Sequence, residues 1–278
     1  MPESDISRTL GFVGAGRVGK GLSLALSRAG YTVSGVSSRS GPLSAQQVAD
    51  RSDIVFLTVP DDRIAEATAA ISWKKGQAAV HCSGAAELSV LDAAARQGAL
   101  TGGFHPLQMF ADPEVAAQGL ARCAIAVEAQ DWLERDLNEM VKRLGATPLR
   151  IPPGGRAAYH AAAHYAAAFL CASINEGVEV WKRIGIPPED SLRALLSLGR
   201  GALDAVERSG PARAMAGSIA RGDISTVRRH VEALEKIDPK LCQHYCRMAL
   251  KTVPMSLEAG GMDAARAEEI RTYLSKKA

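Results

Sequence analysis

The chain has 278 residues, of which 47% are hydrophobic and 23% are charged, and its formal net charge at pH 7 is +3. This length suits one large domain or two ordinary ones, and the hydrophobic fraction is ample for a folded core. The basic residues are scattered, and no apolar run approaches the ~20 residues that a membrane-spanning helix needs. We therefore expect neither nucleic acid nor a membrane as a partner.

The cysteines and the start of the chain favour a cytoplasmic protein. The stretch MPESDISRTL is polar and lacks the apolar segment of a signal peptide. Five cysteines at irregular spacing are typical of a reducing compartment. Cys242, His244 and Cys246 leave a structural metal open as an alternative, but no second pair of ligands lies nearby in the sequence. We favour buried thiols that pack as small hydrophobic groups.

Short apolar runs alternate with helix-length segments over the first half of the chain. The runs are rich in Val, Ile and aromatic residues and predict buried strands at TLGFVG, YTVSGV, DIVFLTV, QAAVHC, LTGGFH, RCAIAV and ATPLRI. Helices are predicted between most of them, at Arg17–Ala29, Asp61–Ile71, Ala85–Gln97 and Asp131–Leu144. This alternation predicts an α/β fold, a Rossmann-like and mostly parallel sheet covered by helices on both faces.

The pattern changes after the segment IPPGG, Ile151–Gly155, where prolines and glycines end any continuing element. The sequence predicts a first domain over residues 1–151 and an all-α helical domain over residues 152–278. Helices are expected in the second domain at Arg156–Ile184, Pro188–Glu207, Ala212–Ala220, Ser225–Glu235, Pro239–Thr252 and Asp263–Ser275.

A glycine-rich turn follows the first predicted strand and opens the first predicted helix. Its spacing is GxGxxG, and its residues are Gly14, Ala15, Gly16, Arg17, Val18 and Gly19. The first glycine permits a tight turn, the second lets the backbone approach a pyrophosphate, and the third lets helix and strand pack closely. The free amides at the helix N-terminus favour phosphate groups. In this position the motif predicts a dinucleotide-binding site.

The end of the second predicted strand indicates which dinucleotide is bound. An acidic residue there would accept hydrogen bonds from the ribose of NAD, but this chain has Ser37, Ser38 and Arg39. Hydroxyls and a guanidinium suit a 2′-phosphate, and one charge-assisted hydrogen bond contributes about 1.5–3 kcal/mol. We therefore predict NADP as the cofactor; a polar loop with a solvated arginine is the alternative.

Three motifs resemble those of a known family: FHPLQMF (Phe104–Phe110), YHAAA (Tyr159–Ala163) and GSIARGD...TVRRH (Gly217–His230). The N-terminal half resembles the NADP-binding domain of the pyrroline-5-carboxylate reductase and β-hydroxyacid dehydrogenase group. Over nearly its full length the chain is similar to a family of proposed NADP oxidoreductases, which join a Rossmann-like domain to a helical domain of unknown function. The resemblance implies an NADP oxidoreductase and supplies no substrate.

Further candidate residues follow the predicted strands, because ligands of such sheets bind beyond the carboxyl ends of the strands. Val59 and Pro60 follow the third strand and Ser83 follows the fourth, and we expect all three to contact the cofactor. Around Pro60 an ordinary helix start with Asp61 as N-cap is an equal alternative. Ser83 is also a candidate catalytic hydroxyl, and a helix cap before Ala85 is its structural alternative.

Histidines are the candidate proton donors. His105 ends the fifth strand, while His160 and His164 lie four residues apart and therefore on one helix face. In β-hydroxyacid dehydrogenases, a lysine on the corresponding helix exchanges a proton with the carbonyl, and an asparagine follows four residues later. This chain has histidine at both places, and imidazole can perform that role. We predict His160 as the general acid and His164 as a residue that orients the substrate; satisfied or packed polar groups are the alternative.

A metal site built from His81, His105, His160 and His164 is a weaker alternative. No carboxylate accompanies these histidines at a metal-like spacing, and hydride transfer to NADP needs no metal. We assign no metal.

Together these features predict an NADP(H)-dependent oxidoreductase that transfers a hydride to or from a small carbonyl, hydroxy-acid or imine substrate. A non-catalytic NADP-binding sensor or scaffold is the alternative, kept open by the absent lysine, and electron exchange with a second bound cofactor is a third possibility. We also expect a homodimer through the helical domain, because a helix that is apolar nearly all round must be buried.

Overall fold

The computed structural model of the protein describes residues 8–278. The chain divides into two compact units, and the boundary lies between Ala167 and Ala168. The helix that follows the IPPGG segment, Arg156–Ala166, therefore belongs to the first unit and not to the helical one. Its buried first residue, Arg156, donates hydrogen bonds to the Glu128 side chain and to the carbonyl oxygen of Ser83, both in the first unit.

One sheet forms the centre of the first unit. Its strands are β1 (Leu10–Val13), β2 (Val33–Ser37), β3 (Ile54–Leu57), β4 (Ala78–His81), β5 (Leu100–Pro106), β6 (Ala124–Glu128) and β7 (Thr147–Leu149). Their order is β2-β1-β3-β4-β5-β6-β7, and only the pair β5–β6 is antiparallel among the described strands. The predicted mostly parallel sheet is confirmed.

Alternation along the strands gives the sheet two apolar faces. In β3, Ile54 and Phe56 point to one buried cluster, while Val55 and Leu57 point to the other. All four side chains are fully buried, as expected for a strand that is covered on both faces.

Helices cover these faces: α1 (Arg17–Arg28), α2 (Ala45–Ala49), α3 (Ile64–Ala69), α4 (Asp92–Ala95), α5 (Pro113–Gly119) and α6 (Asp131–Arg143). A further helix, α7 (Arg156–Ala166), follows β7 and buries only Arg156. The predictions at α1 and α6 agree within a residue. The predicted helix Ala85–Gln97 is wrong in extent, because a turn comes first, then a 3-10 turn at Leu88–Leu91 and only one turn of α-helix. The sequence prediction did not include α2 or α5.

The strand order places a ligand-binding crevice at a known position. The chain runs from β1 outward to β2 and then crosses to β3 on the other side of β1. Sheets of this kind bind ligands at the point where the strand order reverses, beyond the carboxyl ends of the strands. In this chain that point lies between the turn after β1 and the turn after β3.

The second unit is helical throughout its regular structure: α8 (Ala168–Arg183), α9 (Pro188–Arg213), α10 (Ile224–Ile237), α11 (Pro239–Glu258) and α12 (Ala264–Ser275). The single helix predicted at Arg156–Ile184 is wrong, because Ala167 has φ −119° and ψ −90°, outside the helical region. The helix predicted at Ala212–Ala220 is also wrong: α9 continues past a non-helical Gly210 to Arg213, and turns follow.

A small core holds α10, α11 and α12 together. It contains Val227 and Val231 from α10, the two thiols Cys242 and Cys246 from α11, and Ile270 from α12. Both thiols are buried, so the prediction that they pack as small hydrophobic groups is confirmed.

No helix within residues 8–278 combines the length and the apolar character that a membrane span requires.

Candidate active site

The glycine-rich turn has the geometry that its spacing predicts. Gly14 has φ +117°, in the region that favours glycine, and a Cβ there would lie 2.7 Å from the carbonyl carbon of Thr58. A Cβ on Gly19 would collide with the carbonyl oxygen of Gly14 and approach the Thr58 hydroxyl to 2.6 Å. The turn after β1 therefore lies directly against the turn after β3, and both glycines are required by close packing.

Gly16 is different because the space beside it is open. A Cβ there would meet only the carbonyl oxygen of Thr58, at 3.9 Å. Gly16 is the N-cap of α1, and among the described residues no side chain caps this helix end. Ala15 and Val18 are half-buried, and Arg17 is exposed. Bare backbone, open space and an uncapped helix end together fit a pyrophosphate.

Thr58 was missed by the sequence prediction. Its hydroxyl donates to the carbonyl oxygen of Gly14 across 2.7 Å, which fixes the turn after β1 to the end of β3. Val59, the next residue, is half-buried and Pro60 is exposed, so both predicted residues lie at the edge of this crevice. The sequence signal that could have identified Thr58 is its position directly after a buried strand.

The predicted 2′-phosphate residues lie at the end of β2. Ser37 is buried, and its carbonyl oxygen accepts from the amide of Gly14 at 3.1 Å. Ser38 and Arg39 are exposed in a turn that the amide of Gly41 closes onto the Ser38 carbonyl oxygen at 3.2 Å. Within residues 8–278 the Arg39 guanidinium makes no ion pair or hydrogen bond. It is therefore available to an anion.

A second group of polar side chains lies beyond β4 and β5. A Cβ on Gly84 would collide with Nδ1 of His160 and would lie 2.9 Å from Nε2 of His105. The two imidazoles therefore converge beside a backbone that has no side chain, and their ring centroids are 5.6 Å apart. The convergence of His105 and His160 makes one site of them.

Ser83 lies beside this pair, with its hydroxyl fully used. Oγ donates to Oδ2 of Asp61 at 2.6 Å and accepts from the amides of Ala85 and Ala86 at 3.1 and 2.9 Å. This arrangement is the capping role that we gave as the structural alternative, although only a turn follows and not a helix. Asp61 is the partner that the sequence prediction did not assign to Ser83.

Helix α7 carries three site residues on one face. Arg156, His160 and His164 are spaced four apart, so they follow one another along the helix. His164 is exposed, and its Nδ1 donates to the carbonyl oxygen of His160 at 2.9 Å. The ring centroids of His160 and His164 are 5.0 Å apart. His164 thus stands at the outer end of this row.

Arg156 is the main residue that the sequence prediction missed. Its side chain is 1% exposed, its Nε donates to Glu128 at 2.7 Å, and its Nη1 donates to the carbonyl oxygen of Ser83 at 3.0 Å. Its Nη2 lies against Gly103, where a Cβ would collide with it. Arg156 therefore connects the start of α7 to the turn after β4 and to the end of β6. It sets the position of the helix that carries His160.

Burial keeps two of the imidazoles neutral at physiological pH. Burial, reinforced by the charges of Arg156 and His105, lowers the pKa of His81 to about 3. Burial, reinforced by His160 and Arg156 and opposed by Asp61, lowers the pKa of His105 to about 4. A neutral imidazole carries one N–H donor and one acceptor nitrogen.

Several buried polar atoms in this region have no hydrogen-bond partner among the described residues. They are both ring nitrogens of His81, Nη2 of Arg156 and Nδ1 of His160. Buried polar groups are nearly always paired, with protein, water or ligand. These atoms are therefore left for water or a ligand to pair. Among the described residues no cluster of His, Cys, Asp or Glu side chains has the grouping of a metal site.

Comparisons with known proteins agree with this architecture. Residues 3–106 match the Rossmann-like domain, and residues 123–252 match a domain of unknown function, DUF2520. No curated protein matches the sequence.

Several solved structures share the fold. A "putative NADP oxidoreductase" from Bacteroides fragilis is 19% identical, with a TM-score of 0.70 over 90% of this chain and 99% of that one. Pyrroline carboxylate reductase from Plasmodium falciparum with NADP bound is 13% identical, with a TM-score of 0.61 over 97% and 99% of the two chains. An imine reductase from Pseudomonas sp. is 17% identical, with a TM-score of 0.60 over 95% and 99%. The chain joins a Rossmann-like domain to a DUF2520 domain, as the motifs of its sequence predict.

Proposed function

We propose that this protein is an NADP(H)-dependent oxidoreductase that acts on a small carbonyl, hydroxy-acid or imine substrate. The observation that carries the proposal is the convergence of His105 and His160 beside the bare backbone of Gly84. This pair lies at the carboxyl edge of the sheet that also holds the open glycine-rich turn. A pair of imidazoles beside a dinucleotide-type turn suits hydride chemistry, with one ring to give a proton and the other to donate a hydrogen bond.

The residues present fit NADP. Gly16 and the uncapped start of α1 would hold the pyrophosphate, and Ser38 and Arg39 would hold the 2′-phosphate. The bound cofactor would supply or accept the hydride. The fold-sharing reductase from Plasmodium falciparum has NADP bound, and a fold-sharing imine reductase from Myxococcus stipitatus is in complex with NAD+, so the choice between the two cofactors rests on Ser38 and Arg39 of this chain.

One imidazole, that of His160, would handle the proton. Reduction of a carbonyl leaves negative charge on oxygen, and a positioned acid must neutralise it. His160 has its Nδ1 buried beside Gly84 and no hydrogen-bond partner for that atom among residues 8–278. His164 binds the helix backbone next to it. We assign the acid role to His160 and an orienting role to His164.

A substrate screen tests the proposed function. Purified protein would be mixed with NADPH and with panels of oxo acids, aldehydes, ketones and cyclic imines, while NADPH absorbance is followed. Consumption that depends on one class of substrate supports the proposal. Cofactor binding with no turnover across the whole panel would favour a non-catalytic sensor or scaffold.

We predict that NADPH stabilises the protein more than NADH does. A ligand that binds the native state alone stabilises it by about 2.7 kcal/mol at a hundredfold excess over Kd. Loss of one charge-assisted hydrogen bond in Arg39→Ala should weaken NADPH binding about tenfold and leave NADH binding unchanged. Thermal melts with each cofactor measure both effects. Arg96→Ala, which removes an exposed arginine before β5, is the control. Equal shifts of the melting temperature with both cofactors in the wild type would contradict the NADP assignment.

We further propose that the helical unit forms a homodimer. Helix α8 buries none of its residues within the chain and α9 buries only Ser191. Large apolar side chains on α9 are exposed, including Leu198 at 71% and Leu203 at 56%. Helices of this composition are normally covered, and a second copy of the same chain would cover them.

Light scattering should therefore show twice the mass of one chain at micromolar concentration. Leu198→Glu should shift the protein toward monomer, because a charge would be buried in the interface. Val115→Glu is the matched control, since Val115 is an exposed apolar residue of the first unit. A monomeric wild-type protein would contradict this proposal.

Within the described residues all five cysteines are free, which supports the proposed cytoplasmic location.

A further inference from the structure

His105 has a hydrogen-bond partner that determines which of its nitrogens carries the proton. Its Nδ1 lies 2.9 Å from the hydroxyl of Tyr159, and the two rings meet edge to face at 84°. An imidazole nitrogen is a stronger base than a phenol oxygen, so the favoured bond has the phenol O–H donating to Nδ1. Burial raises the pKa of Tyr159 to about 12, so the phenol keeps its proton at neutral pH. The ring proton of His105 must then lie on Nε2.

The opposite arrangement leaves the phenol hydrogen of Tyr159 without an acceptor among the described residues. If Nδ1–H donated to Tyr159, the phenol hydrogen would need another acceptor, and no described residue accepts it. Nε2 of His105 faces the backbone of Gly84 and the neighbouring Nδ1 of His160. With the phenol as donor, Tyr159 is satisfied and the Nε2–H group of His105 points into the candidate site.

Burial keeps His105 uncharged among the titratable groups that surround it. They are His81 from β4, Asp61 from the turn after β3, and Arg156 and His160 from α7. Burial dominates, and with His160 and Arg156 it outweighs the opposing carboxylate, which lowers the pKa of His105 to about 4. At neutral pH this side chain can donate a hydrogen bond but supplies no proton as an imidazolium.

We propose that Tyr159 holds His105 as a neutral Nε2–H donor, and that this donor makes the site select a carbonyl oxygen over a protonated imine. The inference rests on the proposed function and names the substrate class of the same site. Tyr159 is a positioning residue, because it acts only through His105.

The electron balance explains the selection. When a hydride adds to a carbonyl carbon, the π pair of the C=O bond moves to oxygen, which then takes a proton from His160 and becomes an alcohol. A fixed N–H donor stabilises the charge that develops on that oxygen, and loss of one such donor typically lowers kcat by about 10²–10³. The cofactor ends as NADP+.

A protonated imine gains nothing from such a donor. Its nitrogen has no lone pair for an N–H group and its positive charge requires an acceptor. Asp61 is the carboxylate whose charge reaches His105, and its Oδ2 already accepts from Ser83 at 2.6 Å. The Nε2–H donor of His105 therefore favours a carbonyl oxygen over a protonated imine.

Nitrogen NMR tests the tautomer without any substrate. The full chain would be labelled with ¹⁵N in histidine only, and the His105 signals would be assigned by their loss in His105→Gln. We expect the neutral Nε2–H pattern at neutral pH, and a shift toward the Nδ1–H form in Tyr159→Phe. An Nδ1–H pattern in the wild type, or an unchanged pattern in Tyr159→Phe, would overturn the role of Tyr159.

Two substitutions of His105 separate a donor from an acid. Glutamine can place an amide N–H near the position of Nε2 but cannot titrate, whereas leucine removes the donor. We expect His105→Gln to stay within about tenfold of the wild-type kcat and His105→Leu to lose about 10²–10³. Equal losses in two variants that bind NADPH normally would overturn the donor role.

A comparison of substrate classes completes the test. Pyruvate, glyoxylate and cyclohexanone are the carbonyl probes, and methylpyrroline and dihydroisoquinoline are the imine probes. Carbonyl turnover that exceeds imine turnover supports the inference. Turnover of imines alone would overturn it while the proposed function stood, and turnover of neither class would refute the proposed function while the NMR result remained valid.

Discussion

His160→Gln is expected to lower kcat by about 10²–10⁴, the usual contribution of a positioned general acid. Glutamine keeps a polar side chain of similar reach but cannot give up a proton at neutral pH. NADPH affinity should stay nearly unchanged, because the residues that would hold the cofactor lie on the turns after β1 and β2. Steady-state kinetics and a cofactor titration on the same preparation separate the two effects.

The neighbouring histidines supply the controls for this variant. His164→Gln should cost less, since His164 is exposed and bonded to the helix backbone. His105→Gln should stay within about tenfold of the wild-type kcat, because an amide can replace a neutral donor. A well-folded His160→Gln protein with normal kcat would contradict the acid role of His160 and move that role to bound water.

Arg156→Met is expected to lower the free energy of unfolding by about 3 kcal/mol. Breaking a buried ion pair by removal of one partner typically costs 3–5 kcal/mol. The lower end of this energy range applies here, because the Glu128 side chain is 27% exposed and water can solvate it. The substitution also removes the donor that satisfies the carbonyl oxygen of Ser83. Urea unfolding followed by tryptophan fluorescence would measure the change.

Two variants identify the cause of this loss. Adding Glu128→Gln to Arg156→Met should recover part of the stability, because the uncompensated carboxylate is gone. Arg63→Met breaks an exposed pair with Glu66, whose atoms are 2.6 Å apart, and should cost less than about 1 kcal/mol. If Arg156→Met were as stable as Arg63→Met, the buried arginine would not be fixing α7 to the sheet.

Most of the sheet was predictable because buried strands are short, apolar and rich in β-branched residues. Short helices were missed although each has a local signal. Ser44 and Gln47 form a capping box at the start of α2, and Asp112 caps α5 with Pro113 in its first turn. The break at Ala167 has no such signal, because neither glycine nor proline lies there.

The candidate site was only partly predictable. The glycine turn could be identified because its spacing is dictated by close backbone contacts within one βα unit. The convergence of His105 and His160 depends instead on contacts between distant segments, through a bare Gly84 that no local pattern distinguishes. The only sequence signal for Arg156 is its position four residues before His160. Sequence alone does not reveal that an arginine is buried.

Transfer of a labelled hydride tests the central claim most directly. The protein would be incubated with NADPH that carries deuterium at C4 of the nicotinamide and with the carbonyl and imine probes. The masses of the products would then be measured by mass spectrometry. The account predicts a reduced product one mass unit heavier from one of the two C4-deuterated forms only. NADPH binding without deuterium in any product would contradict an oxidoreductase and indicate a binding protein.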